Sequence, residues 1–123
     1  MTGERPGRER AWSVGEVTAA VRRTVEGTLG QVWVKGEVSG LKAYQSGHWY
    51  FTLRDADAQV RCVMWRTYTE RTGKAPAEGT EVYVLATPTV WEEKGEFRLS
   101  VVVMLPTAAV GAKEAARERT RAA

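Results

Sequence analysis

Apolar and polar positions recur along this chain with two different periods, and the change comes near Gln31. Before it, Val14, Val17, Val21, Val25 and Leu29 follow one another at spacings of three and four. That spacing predicts one helix with an apolar stripe laid against a core. Ser13-Val14-Gly15-Glu16 is a capping box that starts the helix, and Gly27 and Gly30 supply its stop. The β-branched valines and threonines lower its intrinsic propensity, so packing must hold it in place. Arg22 and Arg23 read as a solvated face.

From Gln31 onward the period is two. In the first strand Val32, Val34, Gly36 and Val38 point one way, and Trp33, Lys35 and Glu37 the other. Gly36 predicts a bulge or sharp bend, which a small closed barrel needs in a long first strand. Residues 39–47 read as a polar loop. The second strand, 48–54, sets Trp49, Phe51 and Leu53 against His48, Tyr50, Thr52 and Arg54. A tight Asp55-Ala56-Asp57-Ala58 connection leads to a third strand, where Val60, Cys62 and Met64 oppose Arg61, Val63 and Trp65. Residues 66–80 break the alternation and read as an irregular or short helical link. Val82, Val84 and Ala86 then alternate with Tyr83 and Leu85, with Pro88 at a bulge or edge position. Glu92-Glu93-Lys94-Gly95 is a hairpin turn signal. The last strand places Phe97, Leu99, Val101 and Val103 inward and Arg98, Ser100 and Val102 outward.

Five strands with a connecting segment between the third and fourth is the layout of an OB-fold barrel, here with an N-terminal helix added. A six-stranded SH3-like barrel is the alternative, disfavoured because the middle segment has room for the usual OB helix. Residues 11–106 form the expected domain. Residues 1–10 carry Gly, Pro and charges without periodicity and read as a disordered arm. Residues 107–123 are rich in Ala, Arg and Glu but lack an apolar stripe, so they read as a helix-prone linker or the start of a truncated helical region.

Composition changes this picture little. The 123 residues are 43% hydrophobic, enough for one modest core. No apolar run approaches a membrane span, and no apolar segment follows the charged start as in a signal peptide. The lone Cys62 fits a reducing, cytoplasmic setting and reads as a small buried hydrophobe. The formal net charge of +3 lies entirely in the two tails, because residues 11–106 carry eleven basic and eleven acidic side chains. Net charge is therefore no argument for nucleic-acid binding; only the arrangement of charges within the domain is.

That arrangement is informative. The outward set collects Trp33, Lys35, His48, Tyr50, Arg54, Arg61 and Trp65 from the first three strands, the face that binds oligonucleotides in OB-folds. Aromatic rings stack bases and cations follow phosphates, which suits single-stranded nucleic acid. Trp91 and Lys94 near the last hairpin extend the set. The same residue types also suit any pleated surface, so a protein-docking, Trp-rich face is the competing reading. Catalysis finds little support. His48 has no nucleophile beside it, and Asp55 and Asp57 have the spacing of turn formers more than of metal ligands. No zinc spacing or phosphate-cradling loop occurs, and no cofactor or metal is expected.

VWVKGEVSG (32–40), SGHWYFTLRD (46–55) and AQVRCVMW (58–65) resemble the N-terminal domain of the large subunit of bacterial exodeoxyribonuclease VII, as do WSVGEV before them and VYVLATPTVWEEKGEFRLSV after. The resemblance covers about Trp12 to Pro106. It implies an OB-fold that binds single-stranded DNA and presents it to a catalytic domain. In that family the whole enzyme degrades single strands from either end into oligonucleotides, with many copies of a small subunit. The family's nuclease residues lie in a central domain, and its small subunits associate with a long C-terminal helical region. The tail from Gly111 resembles the opening of the helix that leads there, so this chain is expected to be a fragment of a large subunit, with a stand-alone relative as the alternative. The binding role transfers to the outward face, and no catalytic residue transfers.

Overall fold

A computed structural model describes residues 11–110; the arm expected at 1–10 and the helix-prone tail from Gly111 lie outside the described residues. Five strands, β1 (Val32–Ala43), β2 (Trp49–Arg54), β3 (Gln59–Met64), β4 (Glu81–Trp91) and β5 (Glu96–Pro106), close into a barrel in the order β1-β2-β3-β5-β4. All neighbours are antiparallel except β3 and β5, which run parallel. Helix α1 (Val14–Thr28) precedes the barrel, and α2 (Arg66–Thr72) joins β3 to β4 where a short helical link was expected. This is an OB-fold. A short 3₁₀ turn, Thr107–Ala109, follows β5.

β1 closes the barrel by pairing twice. Val32–Glu37 pair with β4, and from Glu37 onward the strand pairs with β2. Gly36 sits at this changeover, and its role is close approach: a Cβ there would lie 2.7 Å from Leu53 Cγ and 3.2 Å from the Arg54 carbonyl oxygen. The bulge expected at Gly36 lies further on, between Ser39 and Lys42, where Gly40 has φ +64°. β1 therefore does not end in a polar loop at Ser39; it turns at Gly40 and runs on to Ala43.

Glu78 fastens that bulge. Its carboxylate accepts the Gly40 N–H at 2.8 Å and the Ser39 hydroxyl at 3.0 Å, and these bonds hold its pKa below the usual glutamate range. A carboxyl depressed in the folded state contributes stability that is full above its unfolded value, about 4.3, and lost as pH falls through the folded value. The acid side of a melting-temperature profile is accordingly expected to flatten in Glu78→Ala, with the two proteins converging at low pH.

The core is formed by Val38, Trp49, Phe51, Leu53, Cys62, Met64, Val82, Val84, Ala86, Leu99, Val101 and Met104, all buried. The inward sets expected for β2 and β4 are among them, as are Cys62 and Met64 of β3; Val60 is only half-buried, and Val63 and Tyr83, expected on the outward side, are buried as well. β5 departs from expectation because a bulge between Leu85 and Ala86 on β4 lets Val102 intrude as an extra residue on β5. The alternation skips a step there, so Met104 is buried and Val103 is only half-buried. Phe97, at the β5 start, is exposed beside α1. Pro88 pairs only with β5, past the end of β1, as an edge proline must.

Helix α1 forms through its capping box, with the Ser13 Oγ accepting the Glu16 N–H and a Glu16 carboxylate oxygen accepting the Ser13 N–H. Gly27 lies within it and Gly30 just beyond its end. The expected docking of its stripe on a core does not occur. No residue of α1 is buried, and Val14, Val17, Val21 and Leu29 are exposed. The closed barrel fills its interior with its own side chains, so α1 lies on its outside, where Val25 is half-buried near Pro88 and Val90 and polar bonds add to the attachment. Glu26 accepts the Val90 N–H, and Arg22 bonds Glu92 at 2.8 Å rather than standing free in solvent.

Cys62 is a core residue, and burial pushes its thiol up to about 12. A thiol held protonated and inaccessible reacts only when the barrel opens. Modification by a thiol reagent is expected to be slow in buffer and fast in denaturant. Rapid labelling of the folded chain would contradict this placement. No helix among the described residues is long and apolar enough to cross a membrane.

Candidate nucleic-acid interface

Strand register sorts the outward residues into rows. Thr52, Arg61 and Arg98 stand side by side across β2, β3 and β5. The next row holds Lys42, Tyr50, Val63 and Ser100, of which Val63 is buried. Tyr44 and His48 sit just past the paired ends of β1 and β2, beside Trp65 at the end of β3. The rows are about 7 Å apart along a strand, comparable to neighbouring phosphates in an extended nucleic-acid strand.

The end row is aromatic. Tyr50 meets Tyr44 edge to face at 5.3 Å and Trp65 at 6.2 Å, and the His48 ring meets Trp65 at 4.9 Å. Tyr50 and Trp65 stay exposed, so the cluster offers ring surface to solvent. His48 is occupied with structure. Its Nδ1 accepts the Arg66 N–H at 3.0 Å, where α2 begins at Trp65 without a side-chain cap of its own. Thr69 ties the same helix down by donating to the Gly47 carbonyl at 2.7 Å. These bonds fix the two elements that carry Trp65 and Tyr50.

The inner rows are basic. Lys42, Tyr44, Tyr50, Thr52, Arg61, Trp91 and Arg98 line one open groove of about 420 Å³, and no acidic residue lines it. Arg98 lies over Trp91, its guanidinium carbon 3.4 Å from the ring centroid, and the Lys94 Nζ stands 5.6 Å from the same centroid. Among the described residues, neither Arg61, Arg98 nor Lys42 has a carboxylate within ion-pair distance.

Of the residues picked from the sequence, His48, Tyr50, Arg61, Trp65, Trp91 and Lys94 come together on this side of the barrel. Trp33 and Lys35 do not. They lie on the part of β1 that pairs with β4, opposite Leu85 and Tyr83, and Lys35 faces Glu81 at 3.9 Å. Arg54 lies at the far end of β2 and pairs with Glu37 at 3.4 Å. Lys42, Tyr44 and Arg98 escape the sequence reading. The alternation Leu41, Lys42, Ala43, Tyr44 resumes after Gly40 and is the signal for the first two. Arg98 was legible as outward, but only barrel closure brings it beside Arg61.

Of the two acidic residues weighed as metal ligands, Asp55 is engaged in the turn. Asp55 Oδ1 accepts the N–H groups of Asp57 and Ala58 at 2.8 and 2.9 Å, which lowers its pKa and closes the β2–β3 turn. His48 lies at the opposite end of β2, roughly 20 Å of extended chain away, so the two cannot share an ion. Among the described residues, no group of three or more His, Cys, Asp or Glu side chains is placed to hold a metal.

Residues 12–104 match the family described as OB-fold nucleic acid binding domain. The chain is 43% identical over 95 residues to the exodeoxyribonuclease 7 large subunit of Sodalis glossinidius (strain morsitans), which covers 77% of this chain and 21% of that protein. It is 45% identical over 111 residues to the exodeoxyribonuclease 7 large subunit of Nitrosomonas europaea, covering 90% of this chain and 25% of that protein. The chain thus spans only 21–25% of the length of these relatives. Among solved structures, one similar fold is a chain of a replication protein A heterotrimer bound to ssDNA, with a TM-score of 0.55 and 19% identity over 76% of this chain and 69% of that one. Another is the asparaginyl-tRNA synthetase of Pyrococcus horikoshii, with a TM-score of 0.55 and 19% identity over 72% of this chain and 23% of that one. At such identity these two speak for the fold alone. Barrel topology and the match over 12–104 lead to one conclusion: the chain belongs to the family of OB-fold nucleic acid binding domains and is homologous to exodeoxyribonuclease VII large subunits.

Proposed function

We propose that this chain holds single-stranded DNA across the face of β2 and β3, flanked by the end of β1 and the β4–β5 hairpin. The observation that carries this reading is the groove in which Lys42, Tyr44, Tyr50, Arg61, Trp91 and Arg98 converge without an acidic side chain, continuous with Trp65. Exposed rings stack bases, which only an unpaired strand presents, and the cations follow its phosphates. Tyr44, Tyr50 and Trp65 are the stacking residues, Lys42, Arg61 and Arg98 the phosphate contacts, and Lys94 a contact at the hairpin rim. His48 positions Trp65 and α2. Trp33, Lys35 and Arg54 stand outside the proposed contact set.

Homology extends the proposal. As part of an exodeoxyribonuclease VII large subunit, in the cytoplasm, the domain of residues 11–106 presents single strands to a catalytic domain elsewhere in the longer protein. That domain degrades them to oligonucleotides in company with multiple small subunits. The segment 107–123 then serves as the link. A fluorescence-anisotropy titration of labelled single-stranded DNA against the matched duplex, at low and moderate salt, tests the binding step. Preference for the single strand, weakening with salt, is expected. Equal binding of both forms, or none at low salt, would overturn the proposal and favour a face built to dock another protein domain.

A further inference from the structure

Arg98 is held in an unusual way. Its guanidinium is fixed by the Trp91 ring at 3.4 Å rather than by an ion pair, and its Nε is cut off from solvent with no hydrogen-bond acceptor among the described residues. A charged N–H buried without an acceptor is costly, and such a group calls for a specific explanation, one of which is an acceptor supplied by a ligand. Arg61 stands directly opposite Arg98 in the parallel β3–β5 pairing, on the same groove. Like charges in register across two strands destabilise a sheet. Here no described carboxylate relieves them.

We infer that Arg61 and Arg98 form a clamp for one backbone phosphate, with Trp91 as the shelf that fixes the Arg98 plane. The inference rests on the nucleic-acid face proposed above and adds a fixed anchor point to it. A phosphate oxygen between the two guanidinium groups accepts from both, and its charge removes their repulsion. Nε is shut off as placed, so a concerted change of the Arg98 side-chain torsions that keeps the guanidinium over Trp91 is what offers Nε to the second oxygen. Arg suits this role and Lys does not, because only a planar fork can both stack and bind two oxygens. One face of Trp91 is thereby used for positioning. The strand is then registered on the protein, with a phosphate at the clamp and the adjoining bases on Tyr50, Tyr44 and Trp65 one and two rows away.

The test is anisotropy titration of a labelled oligothymidylate over a salt series, with the wild-type chain and Arg61→Ala, Arg98→Ala, Arg98→Lys, the Arg61→Ala/Arg98→Ala double variant and Tyr50→Ala. Melting curves report which variants fold. Arg61→Ala serves if Arg98→Ala does not fold, since Arg61 is exposed. Each arginine-to-alanine change is expected to weaken binding about tenfold or more and to lower the salt slope by about 0.7. The double variant should go little further than either single one, because one phosphate is lost in each case. Arg98→Lys should bind as weakly as Arg98→Ala. Wild-type affinity in Arg98→Lys would overturn the clamp in favour of a diffuse positive field, and additive slopes in the double variant would overturn the shared phosphate. If Tyr50→Ala weakens binding and the Arg61→Ala and Arg98→Ala variants do not, the clamp fails and the nucleic-acid face stands. If none of the variants changes binding, both fail.

Discussion

Gly36→Ala is expected to lower the melting temperature by about 10–20 °C. The new Cβ would stand 2.7 Å from Leu53 Cγ, 3.1 Å from Leu53 Cδ1 and 3.2 Å from the Arg54 carbonyl oxygen. Leu53 is only 3% exposed, so its side chain has nowhere to retreat, and the oxygen belongs to the neighbouring strand's backbone. Overpacking of this kind costs about 1–3 kcal/mol, and a domain of this size loses about 4–8 °C per kcal/mol. The effect should be larger than at an ordinary strand position because β1 changes partners here, and a shift of the backbone disturbs both ladders. Thermal melts followed by circular dichroism measure it. Combining the change with Leu53→Val makes room beside the new methyl, so the double variant should lose less than the sum of the two single losses. A Gly36→Ala protein that melts with the wild type would show that the strands do not approach so closely.

Tyr50→Ala combined with Trp65→Ala should reduce affinity for single-stranded DNA about a hundredfold. Base stacking on an aromatic side chain contributes about 1–3 kcal/mol per base, and both residues are more than a third exposed, 37% for Tyr50 and 41% for Trp65. The two rings meet at 6.2 Å, and each touches a further ring, so the single losses should not add fully. No charge is removed. The salt slope should therefore stay as in the wild type while the whole titration shifts to weaker binding, the opposite signature to loss of a phosphate contact. Anisotropy at several salt concentrations separates the two, and melting curves confirm that the variant is folded. Unchanged affinity would put the binding surface elsewhere on the barrel.

The strands and most of their inward sets are legible from alternation because a closed barrel has a dry interior, but Val63 and Tyr83 are buried on the other side of their strands and Val60 is only half-buried. The same rule says nothing about neighbours. Trp33 and Tyr50 both point outward, but β1 is shared between β4 and β2, and Trp33 falls on the β4 half. Arg98 meets Arg61 across a pairing whose partners lie far apart in the chain, which no local pattern encodes. Gly40 and the bulge at Leu85/Ala86 hid two further features, since one inserted residue reverses every later assignment on a strand. By alternation alone Lys42 and Tyr44 therefore fall in a loop and Val103 in the core. The valine stripe of α1 failed for another reason. Periodicity reports that a helix has an apolar side, and only the filled barrel shows that its interior has no place for it.

β3 and β5 are joined by only three residue pairs, Arg61 with Arg98, Cys62 with Leu99 and Val63 with Ser100, and this is the only parallel contact in the barrel. Parallel pairing is the weaker kind. The shortest seam of the fold thus carries two mutually repelling cations, and local opening should begin there. A polyanion lying across Arg61 and Arg98 turns that repulsion into a bridge between the two strands, so the cargo works as a staple. Amide hydrogens of β3 and β5 would exchange more slowly once it is in place. The molecule would be sturdiest while loaded and most easily breached while empty.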